Sequence, residues 1–458
     1  MAARVSSLLN FAVASLPGTA RRAIEGLFSR SATIAAAGHG TRWSRPPMRS
    51  AGRTISAASP LAAARARDLV HNSPEAAAMA IAFENGVIGD GPSLRPLVES
   101  TSLRTSLVER FGEWWERAGI SGVEDLATIL RLCARELFVT GEFFVHFLVD
   151  PQTEELRLRV VTAEQLSGYP ERRTDGGGWI AKNVEYDRWG RRIAYWVRTE
   201  ADGAPEISTR YVRIPAEDMI HGFQHLAAGQ IRGLSMLAPI ATTLHEIATL
   251  RDALLAQAKT GALFGGILTN HNGTAGMQPG RAEEIGLEPG GLIQAPPGWE
   301  YHQVSPARSE GSVDFLRANV RAAAAGAGIP YAFVSGDLSD TSYSSAKVGL
   351  NEYRRFCVGI QRTLFASRLL QPMWKRWLLV ESLAGRIDAD MARTAKADFI
   401  FPAPRSIDPA RETNADIRAI EAGIRSRFEV ISATGRDPET VDAEIGQDRF
   451  RQAQEAAK

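Results

Sequence analysis

The sequence predicts an α+β protein in which a β-rich block is enclosed between helical segments. Three observations carry this: Leu126, Ile129, Leu130, Cys133 and Leu137 recur at helical spacing, short strand-like runs take over after Glu142, and helical spacing returns from Ser235. Residues 61–69 and 72–85 read as short helices, and 86–96 breaks the pattern. Ser121 and Glu124 have capping-box spacing ahead of Leu126, and Gly141 closes that helix. The runs 143–149, 156–161, 184–186 and 193–197 read as strands, the last two joined by the turn Asp187-Arg188-Trp189-Gly190. Segments 210–214 and 219–223 add two more.

From Ser235, with Pro239 tolerated in the first turn, Leu237, Ile240, Leu244, Ile247 and Leu254 make an apolar stripe running to about Lys259. A Gly- and Pro-rich segment, 265–311, then reads as a small mixed insertion. A second helix covers 313–327 and is stopped by Gly328-Ile329-Pro330. The stretch 335–345 is too polar to bury and follows a helix stop, which predicts a loop. The helical run 346–384 is very long, and its interior Pro372 removes a hydrogen bond and bends it. Asp408-Pro409 and Asp437-Pro438 each set a capping acid before a first-turn proline, predicting two C-terminal helices.

A chain of 458 residues with 44% hydrophobic and 23% charged residues has a globular balance and room for two or three parts. Its two cysteines, Cys133 and Cys357, lie in apolar helical patterns, which argues against a disulfide framework and fits a reducing compartment. No stretch approaches the roughly 18 consecutive apolar residues of a membrane span, so a soluble assembly with no membrane partner is expected. With 53 basic and 52 acidic residues the net charge is +1, without the excess that duplex-gripping proteins use to displace counterions. The charge is uneven, since residues 1–67 hold ten arginines, no lysine and one acid, Glu25. That segment reads as a flexible basic arm. Its Ser and Ala content and the apolar run 8–16 also admit a transit- or signal-peptide reading.

Catalytic constellations are missing: there is no phosphate-binding glycine loop, no G-x-S-x-G elbow and no zinc-type cysteine pair. His221 and His225 stand four apart, but Gly222 occupies the place where a zinc protease carries its glutamate, and structural histidines are the simpler reading. Asp388 and Asp390 fit a solvated turn after Gly385. Trp114 and Trp115 could stack on bases, yet Phe111, Trp114, Trp115 and Ala118 at helical spacing form a core face. An enzyme and a cofactor are therefore not expected.

Several segments together resemble the lambda-type family of tailed-phage portal proteins. They are RARDLVHNSPEA at Arg65–Ala76, TGEFFV at Thr140–Val145, EYDRWGRRIAYWV at Glu185–Val197, and IPAEDMIHGF with GQIRGLSMLAPI between Ile214 and Ile240. EPGGLIQAPPGWE at Glu288–Glu300 and GIPYAFVSGDLSDTSYSSAKVGLNEYRRF at Gly328–Phe356 continue the series. No single one is catalytic; their order from residue 61 onward makes the match specific. The basic arm and the tail ending at Lys458 do not align to the family pattern.

The resemblance implies a portal fold with a β-rich wing, a helical stem, a small α/β clip insertion, a long kinked helix and a helical crown. On this chain the arm would be 1–60, the wing 61–233, the stem helices 234–264 and 312–332, and the clip 265–311. The tunnel loop would be 333–345, the kinked wing helix and return 346–404, and the crown 405–458. It also implies a homo-oligomeric ring of twelve subunits at a capsid vertex in the virion, assembled in the host cytoplasm. Double-stranded DNA would pass in transit, and the terminase large subunit, then the head-tail adaptor and capsid proteins, would be partners. Ser335, Asp337, Leu338, Asp340 and Tyr343 would face the channel. Arg317 and Arg321, four apart on the second stem helix, would turn to the channel or a neighbour, or be ordinary surface arginines. Trp299 and Tyr301 would dock the terminase. Near-neutral charge suits a conduit in which DNA must slide, because a basic lumen would hold phosphate. A phage-encoded nuclease or protease and a DNA-binding structural protein without a ring stay open, and assembly size separates them.

Overall fold

The computed structural model describes residues 50–199, 210–263, 267–270, 299–302, 311–339, 342–402 and 408–456. Apart from Ser50 these lie in one unit, 51–458. Helix α1 (Ala51–Asn72) carries Pro60 in its interior and buries Ser59, Ala63, Ala66, Leu69 and Val70. It starts ten residues before the periodic stretch at 61–69, inside the predicted arm. Contact holds that first turn: a Cβ on Gly52 would stand 2.5 Å from the Gly229 carbonyl. Helix α2 (Pro74–Val87) is capped by Ser73, whose Oγ accepts the Ala76 N–H, with proline in its first turn.

Strand β1 (Ser93–Leu97) and helix α3 (Thr101–Trp115) follow, then α4 (Leu126–Val139). The cap of α4 is Asp125, whose Oδ1 accepts the Thr128 N–H at 2.8 Å. Ser121 and Glu124, the expected capping box, instead bond to each other one turn earlier. Along α4 the predicted stripe Leu126, Ile129, Leu130, Cys133 and Leu137 is buried.

Strands β2 (Glu142–Val149), β3 (Leu156–Val161) and β9 (Met219–Phe223) form an antiparallel sheet in the order β3-β2-β9. Between them in sequence, β4 (Arg172–Arg173), β5 (Trp179–Ala181), β6 (Val184–Tyr186), β7 (Arg192–Arg198) and β8 (Tyr211–Pro215) pair in chain order as a five-stranded meander. Alternate residues of β2 serve different cores, as strand geometry dictates. Phe143, Val145 and Phe147 enter the main core, while Phe144 joins Val161, Tyr195, Ile214 and Met219 in a smaller one.

Helix α5 (Ala241–Leu263) begins after a turn that contains Pro239, later than the expected Ser235. Leu237 and Ile240 in that turn, with Leu244 and Ile247 beyond it, still form one buried row. The backbones of β10 (Ile267–Asn270) and β11 (Trp299–His302) pair antiparallel within the predicted insertion. Helix α6 (Ser312–Ala327) packs beside the root of α5, where a Cβ on Gly326 would lie 2.4 Å from Ile240. Gly328 at φ +71° ends it, and the five-residue α7 (Tyr331–Ser335) follows.

The long run contains α8 (Tyr343–Ile360), a π-helical stretch over 361–370 and α9 (Gln371–Leu383). The departure from α geometry thus begins at Gln361, ahead of Pro372. Gln361 donates from Nε2 to the Val87 carbonyl at 2.9 Å, and Gln371 N–H reaches back five residues to Ala366 O. Trp374 and Trp377 on α9 stack at 5.1 Å, and Phe111 meets Trp377 edge-on at 5.2 Å. Short helix α10 (Ala389–Thr394) leads into β12 (Lys396–Ile400), which pairs with β1. Three C-terminal helices, α11 (Pro409–Glu421), α12 (Arg427–Ala433) and α13 (Pro438–Ala456), stand where two were expected. Asp408 caps α11 and Asp437 accepts the Thr440 N–H, while Ser426 starts the additional helix.

Trp377→Ala should cost about 3–5 kcal/mol, because it empties the centre of the aromatic cluster. Leu383→Ala, at a side chain 80% exposed, should stay within about 0.5 kcal/mol. Denaturant midpoints of the two variants check the contrast.

Candidate functional site

Arg317 and Arg321, nominated from the sequence, both reach the segment that follows their own helix. The Arg317 guanidinium stands 3.5 Å from Asp337 Oδ2, and that of Arg321 lies 5.0 Å from the ring centre of Tyr331. Gly336 ends α7 in the left-handed conformation that favours glycine, with its N–H on the Ala332 carbonyl. Ser335 is the last residue of α7, and its Oγ accepts the Asp337 N–H at 3.1 Å. Asp337 accepts the N–H and the hydroxyl of Ser339 at 3.0 and 2.6 Å. Those two bonds, backed by the charges of Arg317 and Arg321, hold its carboxyl below the usual carboxylate range. Leu338 is exposed. Ser342 caps α8 by accepting the Ser345 N–H, so Tyr343 opens that helix and the span between α7 and α8 is shorter than 335–345. Asp340 lies outside the described residues. Trp299 and Tyr301 are on β11, opposite Asn270 and Leu268.

The most constrained polar cluster was not singled out in the sequence. Glu142, at the start of β2, is 2% exposed and engages three residues from two other segments. Arg232 Nη2 approaches its Oε1 at 2.6 Å, the Gly233 N–H donates to Oε2 at 2.8 Å, and His221 Nε2 is 3.0 Å from Oε2. Arg232 spends its other donors on the carbonyls of Leu166 and Lys182 at 2.8 and 3.0 Å. Because Glu142 accepts, His221 Nε2 must carry hydrogen, leaving Nδ1 to accept from Arg192 at 3.4 Å. The imidazole is therefore neutral. Burial pushes it down to about 4 against the pull of Glu142. Burial pushes the Glu142 carboxyl up, but Arg232 and His221 together outweigh this and hold it at about 2. A lone glutamate heading the apolar run Phe143-Phe144-Val145 was the signal for this site.

Other sequence candidates have structural roles. His225 stacks on Phe223 at 4.3 Å, a ring that His221 also meets at 4.7 Å. Asp388 caps α10 by accepting the Asp390 and Met391 N–H groups, and Asp390 pairs with Arg393. Trp114 is buried and donates from Nε1 to the Leu156 carbonyl at 2.6 Å. No group of three metal-ligating side chains occurs among the described residues, and none of their helices is long and apolar enough to cross a membrane.

The fold resembles solved chains from gene transfer agent particles. One, from the virion of the native particle, matches at TM-score 0.50 and 14% identity over 84% of this chain and 99% of its own. Another, from the neck of the empty particle computed with C6 symmetry, matches at TM-score 0.51 and 14% identity over 82% and 93%. A probable portal protein of Halomonas phage phiHAP-1 is 25% identical over 370 residues, 76% of this chain and 71% of its own. Portal protein B of Escherichia phage lambda is 23% identical over 447 residues, 83% of this chain and 82% of its own. The model of the phage portal protein, lambda family, matches residues 38–361, and the chain belongs to that family. It is a structural portal protein of a bacteriophage, as its relatives are, and not an enzyme.

The Glu142 cluster should make stability fall with acid. Between about pH 6.5 and 4 the unfolded chain binds a proton at His221 that the folded chain does not, so stability drops as pH drops. Glu142 adds a loss of the same sign between about 4.5 and 2. At pH 7, Glu142→Gln should cost about 3–5 kcal/mol by leaving Arg232 buried without a counter-charge. Denaturant titration at several pH values measures both effects.

Proposed function

We propose that this portal protein closes head-to-tail into a ring of twelve subunits at one capsid vertex, through which double-stranded DNA enters and leaves the head. The observation that carries this reading is the family match over 38–361. The likeness to a neck chain computed with C6 symmetry supports it, since a heterologous interface that closes generates rotational symmetry. Assembly takes place in the bacterial host cytoplasm, and the ring ends in the virion without a cofactor.

Helices α5 and α6 form the stem, and 265–311 is the clip, where Trp299 and Tyr301 meet the terminase large subunit and later the head-tail adaptor. Capsid proteins surround the ring. Ser335, Asp337, Leu338, Asp340 and Tyr343 border the DNA path, with Arg317 and Arg321 behind them on α6. The pairing of Arg317 with Asp337 supports a sliding contact, because it offsets a positive charge that would otherwise hold phosphate.

Light scattering and negative-stain images of the purified chain should show closed particles of about twelve times 49.7 kDa. A species no larger than a dimer at micromolar concentration, in low and high salt, rejects the reading. Replacing 336–342 by a glycine linker should leave rings that assemble but package poorly or leak DNA in a packaging assay. Normal packaging and retention would remove the loop from the DNA path.

A further inference from the structure

The turn between β6 and β7 carries an anchor that the roles above do not use. Trp189 is 66% exposed, with the Arg188 guanidinium 3.9 Å from its ring centre and that of Arg191 at 5.7 Å. The turn is rigid. Asp187 Oδ1 accepts the N–H groups of Trp189 and Arg191 at 2.9 and 2.8 Å, and the Gly190 N–H bonds to Asp187 O at 3.1 Å. Gly190 sits at φ +82°, where a side chain would be strained. Arg188 and Arg191 make no ion pair among the described residues. Tryptophan with arginine is the combination concentrated in interface hot spots, and a preformed turn reduces the ordering entropy of docking.

The outer face of α3 has the opposite character. Glu109, Glu113 and Glu116 are exposed, four and three residues apart on one face, and none makes an ion pair among the described residues. Beside them, a Cβ on Gly112 would meet no atom within 4 Å, so the glycine leaves a notch, and the adjacent Val108 is 42% exposed.

We propose that the Trp189 turn of one copy docks on the Glu109–Glu113–Glu116 face of α3 in a neighbouring copy, with the indole over Gly112 and the two guanidinium groups on the carboxylates. This rests on the ring reading, in which a head-to-tail contact needs two different and complementary patches on each chain. Two such turns meeting each other would instead bring four guanidinium groups together.

The test is the concentration at which rings of the full chain dissociate, read by light scattering. Arg188→Glu with Arg191→Glu should raise it about tenfold or more, and Trp189→Ala should raise it with no change of charge. Adding Glu109→Arg and Glu113→Arg to the reversed turn should restore ring formation, and unchanged thermal unfolding confirms that each variant folds. Reversed-turn rings as stable as the original overturn the proposal, as does a weakening that the swap on α3 fails to rescue. Rings that persist but lose DNA assign the turn to nucleic acid and overturn it too. If the unaltered chain forms no ring, the ring reading fails first, and the same measurement separates the two failures.

Discussion

A carboxylate sealed from water persists only where other groups replace its hydration, and Glu142 draws those groups from far along the chain. His221 arrives on β9, and Arg232 and Gly233 come from the loop that leads into α5. Arg232 in turn gathers carbonyls from 166, in the turn after β3, and 182, in the turn between β5 and β6. Glu142 heads the strand whose alternate residues fill the two cores, so one charge cluster ties together the sheets, both cores and the start of the long helix. A buried pair of this kind contributes little to net stability compared with apolar replacements, but it admits one arrangement of its partners.

The same corner is closed by backbone contact. Gly141 lies at φ +90°, and a Cβ there would fall 2.1 Å from the carbonyl carbon of Leu234. One on Gly233 would fall 2.1 Å from the Gly141 oxygen. The hydroxyl of Ser59 on α1 bonds to the Gly233 carbonyl. Three of the segments that carry the family resemblance, around Thr140–Val145, His221 and Arg232, therefore meet at one point. At that joint neither position 141 nor position 233 has room for a side chain.

Elements whose ends are set by local chemistry were legible: the stripe of α4, the turn at Gly190, the stop at Gly328, and the caps Asp408 and Asp437. Those set by distant contact were not. The early start of α1 depends on Gly229, and the π-helical stretch accompanies a bond from Gln361 to Val87, both invisible to a periodicity read within one segment. Helix α12 is a different matter, since Ser426 and Glu429 have capping-box spacing, a local signal present in the sequence. At the site, the family could be read, but the partner of Asp337 could not, because Arg317 lies twenty residues away on another element. Glu142 was missed because it looks like one polar residue in an apolar strand until its partners are assembled.

The tie between Arg317 and Asp337 also has a mechanical meaning. A pull on Leu338 reaches α7 through the backbone at Gly336 and α6 through the ion pair, besides the backbone that runs on toward α8. The covalent route is insensitive to solution conditions, whereas the ion pair is partly exposed and weakens as salt screens it. The share of load borne by α6 is therefore larger at low ionic strength than at high, set by the surrounding electrolyte.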